Sequence, residues 1–290
     1  MNPNQNPNPI LELADVVYSY PGTDNKALDR LSLALPAGRQ IALCGHNGSG
    51  KSTFFLHAVG IHRPQSGTVR WKGAPVSYKR KELLELRRQV GLVFQDPEQQ
   101  LILGTPYEDV SYGLRNAGVP EPEIRARTGA VLERMGLEDL AHTPIHHLSL
   151  GQKKRVTLAG VLVLEPSLLL LDEPTAYLDR ASERLLLDEL ADIRRSGVTV
   201  VMATHDMDLA YTWADQVLVM DKGACLLQGP PAQVFAETET IGRIGLELPL
   251  LLRLWQSLPR ELREGADPPR SADAFGELLA ARLQAAASRS

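Results

Sequence analysis

Gly45-His46-Asn47-Gly48-Ser49-Gly50-Lys51-Ser52 fits the pattern G-x-x-x-x-G-K-[ST]. The apolar run Ile41 to Cys44 precedes it, and a helix-compatible stretch follows from Lys51. A strand, a glycine-rich loop and a helix in that order make a phosphate cradle. Glycine is needed because backbone N–H groups must turn inward and approach phosphate oxygens with no Cβ in the way. Lys51 can reach the β and γ phosphates of a nucleotide as a point charge, and the Ser52 hydroxyl can ligate Mg2+. The helix N-terminus beginning there adds a favourable potential for an anion.

Downstream, Leu168-Leu169-Leu170-Leu171 ends in Asp172-Glu173-Pro174. A run apolar on both faces and stopped by proline predicts a strand buried in a parallel sheet. It delivers two carboxylates at its end. Asp172 is placed to hold Mg2+ through its water shell, and Glu173 to polarise the water that attacks the γ-phosphate. Just upstream lies Leu148-Ser149-Leu150-Gly151-Gln152-Lys153-Lys154-Arg155. Its serine reads as a helix cap. It also reads as a second phosphate-binding surface: a hydroxyl, a bare backbone N–H and a positive helix end. One nucleotide does not need two such surfaces on one chain, which points to sharing between chains.

The remaining pattern predicts an α/β fold. Residues 1–9 read as a disordered Asn/Pro-rich leader. Leu11–Tyr20, Leu31–Leu35 and Thr68–Trp71 are strand-like and predict a β-rich opening. Helix-compatible stretches dominate residues 97–164, with Glu121–Met135 the clearest. Ala181–Ser196 places apolar residues at 186, 190 and 193 on one face, with Gly197 as a stop. Val198–Met202 predicts a second buried strand, and Gln216–Met220 with Ala224–Leu227 a hairpin. Strands alternating with helices indicate a parallel sheet. Pro259–Ser271 reads as a linker, and Phe275, Leu278, Leu279 and Leu283 as the apolar face of a last helix. That face packs on its own domain or meets a second copy or partner.

Among 290 residues, 43% are hydrophobic and 23% charged, as in an ordinary soluble domain. A net charge of −4 argues against a nucleic-acid partner. No segment approaches the roughly 20 apolar residues needed to cross a bilayer; the run Ala159–Leu164 is broken at Glu165-Pro166. Cys44 and Cys225 cannot form a disulfide framework and fit a reducing compartment. His142, His146 and His147 cluster, but Pro144 breaks the helix and no Cys or acid completes a ligand set, so no structural or transition metal is expected. His57 and His62 read as surface or packing residues.

These motifs, in this order, resemble those of the ABC ATPases over roughly residues 10–236. The resemblance implies a P-loop NTPase core with a parallel sheet, an antiparallel β subdomain, and an inserted helical subdomain at about 97–164. Residues 237–290 would be a C-terminal helical extension. It implies ATP and Mg2+ as cofactors, ATP contacts from Tyr20 and Gly45 through Thr53, and Mg2+ coordination by Ser52, Gln95 and Asp172. Leu148–Gln152 would be the signature that contacts ATP in trans, Asp179 the D-loop aspartate, and Glu173 and His205 the catalytic pair. Tyr18 is an alternative to Tyr20 for stacking on adenine. Leu150 departs from the glycine usual in the signature. The stretch Val90–Leu101, with 148–155, is similar to the ATPases of energy-coupling-factor importers, closest to the cobalt-uptake type, CbiO; vitamin importers use near-identical ATPases.

That resemblance implies a head-to-tail pair, homodimer or paralogue heterodimer, at the cytoplasmic face of the cell membrane. Its partners would be a transmembrane scaffold of the EcfT/CbiQ kind and a substrate-capture membrane protein. Rival readings are an exporter motor, a nucleotide-gated module without turnover, and a soluble ABC ATPase of translation or DNA repair. The single cassette, the short span from Lys51 to Ser149, and the presence of both Glu173 and His205 oppose the last two.

Overall fold

A computed structural model describes residues 9–287. The expected leader lies outside the described residues except for Pro9, which opens the first strand. In chain order come β1 (Pro9–Ser19), β2 (Lys26–Pro36), β3 (Gln40–Cys44), α1 (Lys51–Ala58), β4 (Ser66–Trp71), β5 (Ala74–Pro75), α2 (Arg80–Gln89) and β6 (Val90–Val93). Helices α3 (Pro106–Asn116), α4 (Glu121–Arg134) and α5 (Leu150–Leu162) follow, then β7 (Leu168–Asp172), α6 (Arg180–Arg195), β8 (Thr199–Thr204), α7 (Met207–Trp213), β9 (Gln216–Asp221) and β10 (Ala224–Gly229). The chain ends with α8 (Pro231–Val234), α9 (Thr238–Arg243), α10 (Leu250–Ser257), α11 (Arg260–Arg263) and α12 (Ala272–Ala287).

Two sheets result. An antiparallel one runs β2-β1-β4-β5; a six-stranded one runs β10-β9-β3-β8-β7-β6. In the second, β9, β3, β8, β7 and β6 are parallel, and β10 closes the edge antiparallel to β9. Every residue of β3 and β8 is buried, as expected of strands covered on both faces. Side chains alternate between clusters. Ile41, Leu43, Leu168 and Leu170 join Phe54 and Phe55 of α1 under the antiparallel sheet. Leu169 and Leu171 face the helical side with Val156 of α5 and Leu186, Leu190 and Ile193 of α6. Each such leucine contributes about 1.5–3 kcal/mol by leaving water.

Differences from the sequence reading have local causes. Strand β2 begins at Lys26, ahead of the expected Leu31, because Leu28 also faces inward although Arg30 takes a φ of 51°. Helix α2 has Leu86 as its one buried residue, so its apolar period is too sparse to read. Pro259–Ser271 is not a free linker. It carries α11, and Arg270 donates to carbonyls of Tyr211 and Thr212 near the end of α7. Of the last helix's apolar face, Phe275 and Leu278 pack on the cluster around Tyr211 and Trp255, while Leu283 is exposed.

Candidate active site

Parallel α/β sheets bind ligands outside the carboxyl ends of their strands. Four adjacent strands here end in the sequence-predicted residues. The glycine loop follows β3, Asp172 and Glu173 end β7, His205 follows β8, and Gln95 follows β6.

Backbone geometry explains the glycines of the loop. Gly45 has φ 152°, and a Cβ there would lie 2.4 Å from the Met220 carbonyl oxygen and 2.6 Å from Ser49 Oγ. At Gly50, φ is 106° and a Cβ would meet the Ala27 carbonyl oxygen at 2.7 Å. Because Gly50 is the N-cap of α1 and offers no side chain, that helix start has no side-chain cap; α5, α6 and α7 are capped by Ser149, Asp179 and Asp206. The orphan N–H groups of α1 are left for an anion. His46, Asn47 and Gly48 complete the loop, in which Ser49 N donates to the His46 carbonyl. Lys51 is buried and donates from Nζ to the carbonyls of Gly45 at 2.6 Å and His46 at 3.0 Å. Burial pushes its pKa down, with Glu173 and Asp172 opposing.

The acidic pair meets this loop. Ser52 Oγ donates to Asp172 Oδ2 at 2.6 Å. Glu173 is 6% exposed and sits at φ 46°, a strained backbone for a residue with a side chain. Its Oε2 accepts from His205 Nδ1 at 2.8 Å; since a carboxylate only accepts, Nδ1 carries the proton. Its Oε1 is buried with no hydrogen-bond partner. An unpaired buried carboxylate oxygen is costly. The His205 ring is largely exposed, so it can reach outward from Glu173.

Tyr20, 38% exposed, lies beside the loop with its hydroxyl 3.1 Å from Thr53 Oγ1. The Tyr18 ring is buried, stacked on His62 and edge-on to His57, and so offers no face to a base.

The segment 148–152 stands apart: among the described residues no hydrogen bond or ion pair joins it to 45–53. Leu148 is buried and Leu150 exposed. Ser149 and Gln152 form a reciprocal cap, Ser149 N donating to Gln152 Oε1 and Gln152 N to Ser149 Oγ. The cap reading of the serine is met, and accepting from Gln152 leaves its hydroxyl proton free. A Cβ on Gly151 would come 3.2 Å from Ser182 Oγ, on the helix that Asp179 caps. Asp179 is held below the usual carboxylate range by the Ser182 N–H and hydroxyl. Gln95 is exposed and, among the described residues, makes no hydrogen bond to Ser52 or Asp172. The three basic side chains that follow are engaged within the chain: Lys153 pairs with Glu98, Arg155 donates to the Met135 carbonyl, and Lys154 turns inward.

Lys154 is a site residue that the sequence reading missed. Its buried Nζ donates to the carbonyls of Pro174 at 2.8 Å and Ala176 at 2.7 Å, holding the turn that starts at Glu173. Nothing in its run of three basic residues distinguishes it.

A family model described as "ABC transporter" matches residues 28–176. An ABC transporter ATP-binding protein of Nostoc sp. is 49% identical over 246 residues, covering 85% of this chain and 90% of that one. The cobalt import ATP-binding protein CbiO of Rhodobacter capsulatus is 44% identical over 274 residues, covering 94% and 98%. The solved structure of cbiO1 from Clostridium perfringens, described as part of the ABC transporter complex cbiONQ, superposes with a TM-score of 0.73 at 42% identity, over 86% of this chain and 99% of that one. With nucleotide-loop geometry, fold and relatives in agreement, the chain belongs to the ABC transporter family as one of its ATP-binding, ATP-hydrolysing subunits, in the group that includes the CbiO proteins.

Proposed function

We propose that the chain powers an importer of the energy-coupling-factor type for a cobalt ion or a similar micronutrient. It works as one of a pair on the cytoplasmic face of the membrane, beneath a separate transmembrane scaffold and its capture protein. The observation that carries this reading is the convergence of Lys51, the Ser52–Asp172 pair and the Glu173–His205 pair at the carboxyl ends of three adjacent strands. The name of the R. capsulatus relative supports the substrate class. No described helix is long and apolar enough to cross a membrane.

In this reading Lys51 leaves the Gly45 and His46 carbonyls for the β and γ phosphates, and Tyr20 stacks on the adenine. Mg2+ fits the hydroxyl and carboxylate oxygens of Ser52 and Asp172, which are hard ligands, and would neutralise charge on the phosphates when bound. Gln95 would join them only after its loop moves inward. Glu173 Oε1 takes a proton from water as the water oxygen bonds to the γ-phosphorus and the bridging oxygen leaves with ADP. His205 holds the other carboxylate oxygen, fixing the base. Ser149 and Gly151 serve a nucleotide on the facing subunit, which accounts for their separation from their own chain's loop. Leu150 leaves both contacts in place, since neither uses the side chain at 150.

The test is a detergent pull-down from native membranes with tagged Glu173→Gln, ATP and Mg2+, read by mass spectrometry. A polytopic scaffold with a small membrane capture protein is expected, and the capture protein identifies the substrate. Ribosomal or DNA-repair partners with no membrane protein would overturn the transport reading.

A further inference from the structure

Residues beyond β10 have no part in the chemistry above, yet they touch two of its elements. Nε2 of His46, inside the phosphate loop, lies 2.7 Å from the Ile244 carbonyl oxygen just after α9. A carbonyl only accepts, so Nε2 is the donor. Contact is close, because a Cβ on Gly245 would come 3.4 Å from the same nitrogen. The segment then grips α7, which begins two residues after His205. Leu250 N donates to Asp208 Oδ1 at 2.5 Å, and Tyr211 Oη donates to the Pro268 carbonyl. Arg270 donates to the carbonyls of Tyr211, Thr212 and Ala214, the negative end of that helix. Ile241, Leu246, Leu252 and Trp255 share one core with Cys44, the last residue before the phosphate loop, and with Met207 and Tyr211.

We infer that residues 238–270 form a strap that positions the phosphate loop against α7, the helix that follows His205, with His46 as the positioning residue through which it acts. The inference rests on the ATP-site reading of the loop. Its physical basis is that the His46 carbonyl also accepts from Lys51 Nζ. That piece of backbone therefore holds the lysine that must be released to the phosphates. Anchoring the His46 ring outside the cradle keeps the backbone in place while Lys51 moves, so less ordering remains to be done when ATP binds.

The experiment uses the full chain, with equilibrium binding of a fluorescent ATP analogue and hydrogen exchange over 238–250, each with and without nucleotide. His46→Ala should weaken binding about tenfold, and His46→Gln, which keeps an N–H donor at similar reach, should restore most of it. Arg270→Gln, remote from the nucleotide, should weaken binding about threefold. Nucleotide should slow exchange over 238–250 in the unmodified protein and leave it unchanged in His46→Ala, because the coupling is reciprocal. Unchanged affinity in both His46→Ala and Arg270→Gln, with only the urea midpoint lowered, would reduce the segment to packing and overturn the strap. If Lys51→Ala binds the analogue as tightly as the unmodified protein, the ATP-site reading itself has failed.

Discussion

Lys154→Met tests the turn that carries Glu173. The Lys154 ammonium is 6% exposed, and burial pulls its pKa from 10.5 down to about 8, with Glu173 and Asp96 opposing the fall. Below pH 8 the folded and unfolded chains both carry the charge, and burying it costs roughly 3 kcal/mol at about 1.4 kcal/mol per pH unit. Between pH 8 and 10.5 the unfolded chain holds more protons than the folded one. Unfolding free energy therefore rises with pH across that window, by roughly 2 to 3 kcal/mol at pH 10. Methionine abolishes this titration. It also leaves the carbonyls of Pro174 and Ala176 without their donor, at about 1–3 kcal/mol each. At pH 7 the relief of the buried charge offsets much of that loss, so the variant should lie within about 2 kcal/mol of the unmodified protein. At pH 10, where the neutral amine still donates, the gap should widen by roughly 2 to 3 kcal/mol. Urea unfolding of both proteins from pH 7 to 10, followed by tryptophan fluorescence, measures the difference directly and cancels the titrations they share. Parallel pH curves would refute the argument, since they would mean that Lys154 titrates as a solvated lysine. Phosphate release should fall about tenfold or more in the variant while ATP still binds, because the turn that aims Glu173 has lost its two anchors.

Three further outcomes follow from the site. Glu173→Gln should lower phosphate release by about 100-fold or more while equilibrium ATP binding persists, as expected when a general base is removed and the cradle is left intact. Gly45→Ala should abolish ATP binding and lower the melting temperature in a thermal scan, because its methyl group would lie 2.4 Å from a backbone oxygen at a φ of 152° that alanine does not relieve. Cys44 and Cys225, whose thiols burial pushes up to about 12 and about 11, stay protonated at pH 8. Iodoacetamide should leave both unmodified in the folded protein and alkylate both in urea, as read by mass spectrometry.

What could be read from the sequence was what the backbone demands locally. Gly45 and Gly50 announce themselves because no other residue tolerates those approaches. Leu168–Leu171 do so because a strand covered on both faces has no polar side. Leu186, Leu190 and Ile193 keep helical spacing and are the buried residues of their helix. Lys153, Lys154 and Arg155 look equivalent in the sequence, but each helical step turns the side chain by about 100°. The three end at Glu98, at the Glu173 turn and at Met135 respectively. The contact between His46 and Ile244 spans 198 positions and obeys no period. Both hidden features arise from closure of distant elements, which a local pattern does not encode.

The same distinction accounts for the use of His46. The pattern G-x-x-x-x-G-K-[ST] leaves position 46 unrestricted because the phosphates are met by backbone N–H groups and not by its side chain. A side chain with no duty toward the ligand can be held by another part of the chain without competing for the nucleotide. Any polar residue there could serve chemistry equally well, but only one with a donor at the reach of Nε2 satisfies the Ile244 carbonyl. Freedom at the ligand and constraint at the strap thus fall on one residue.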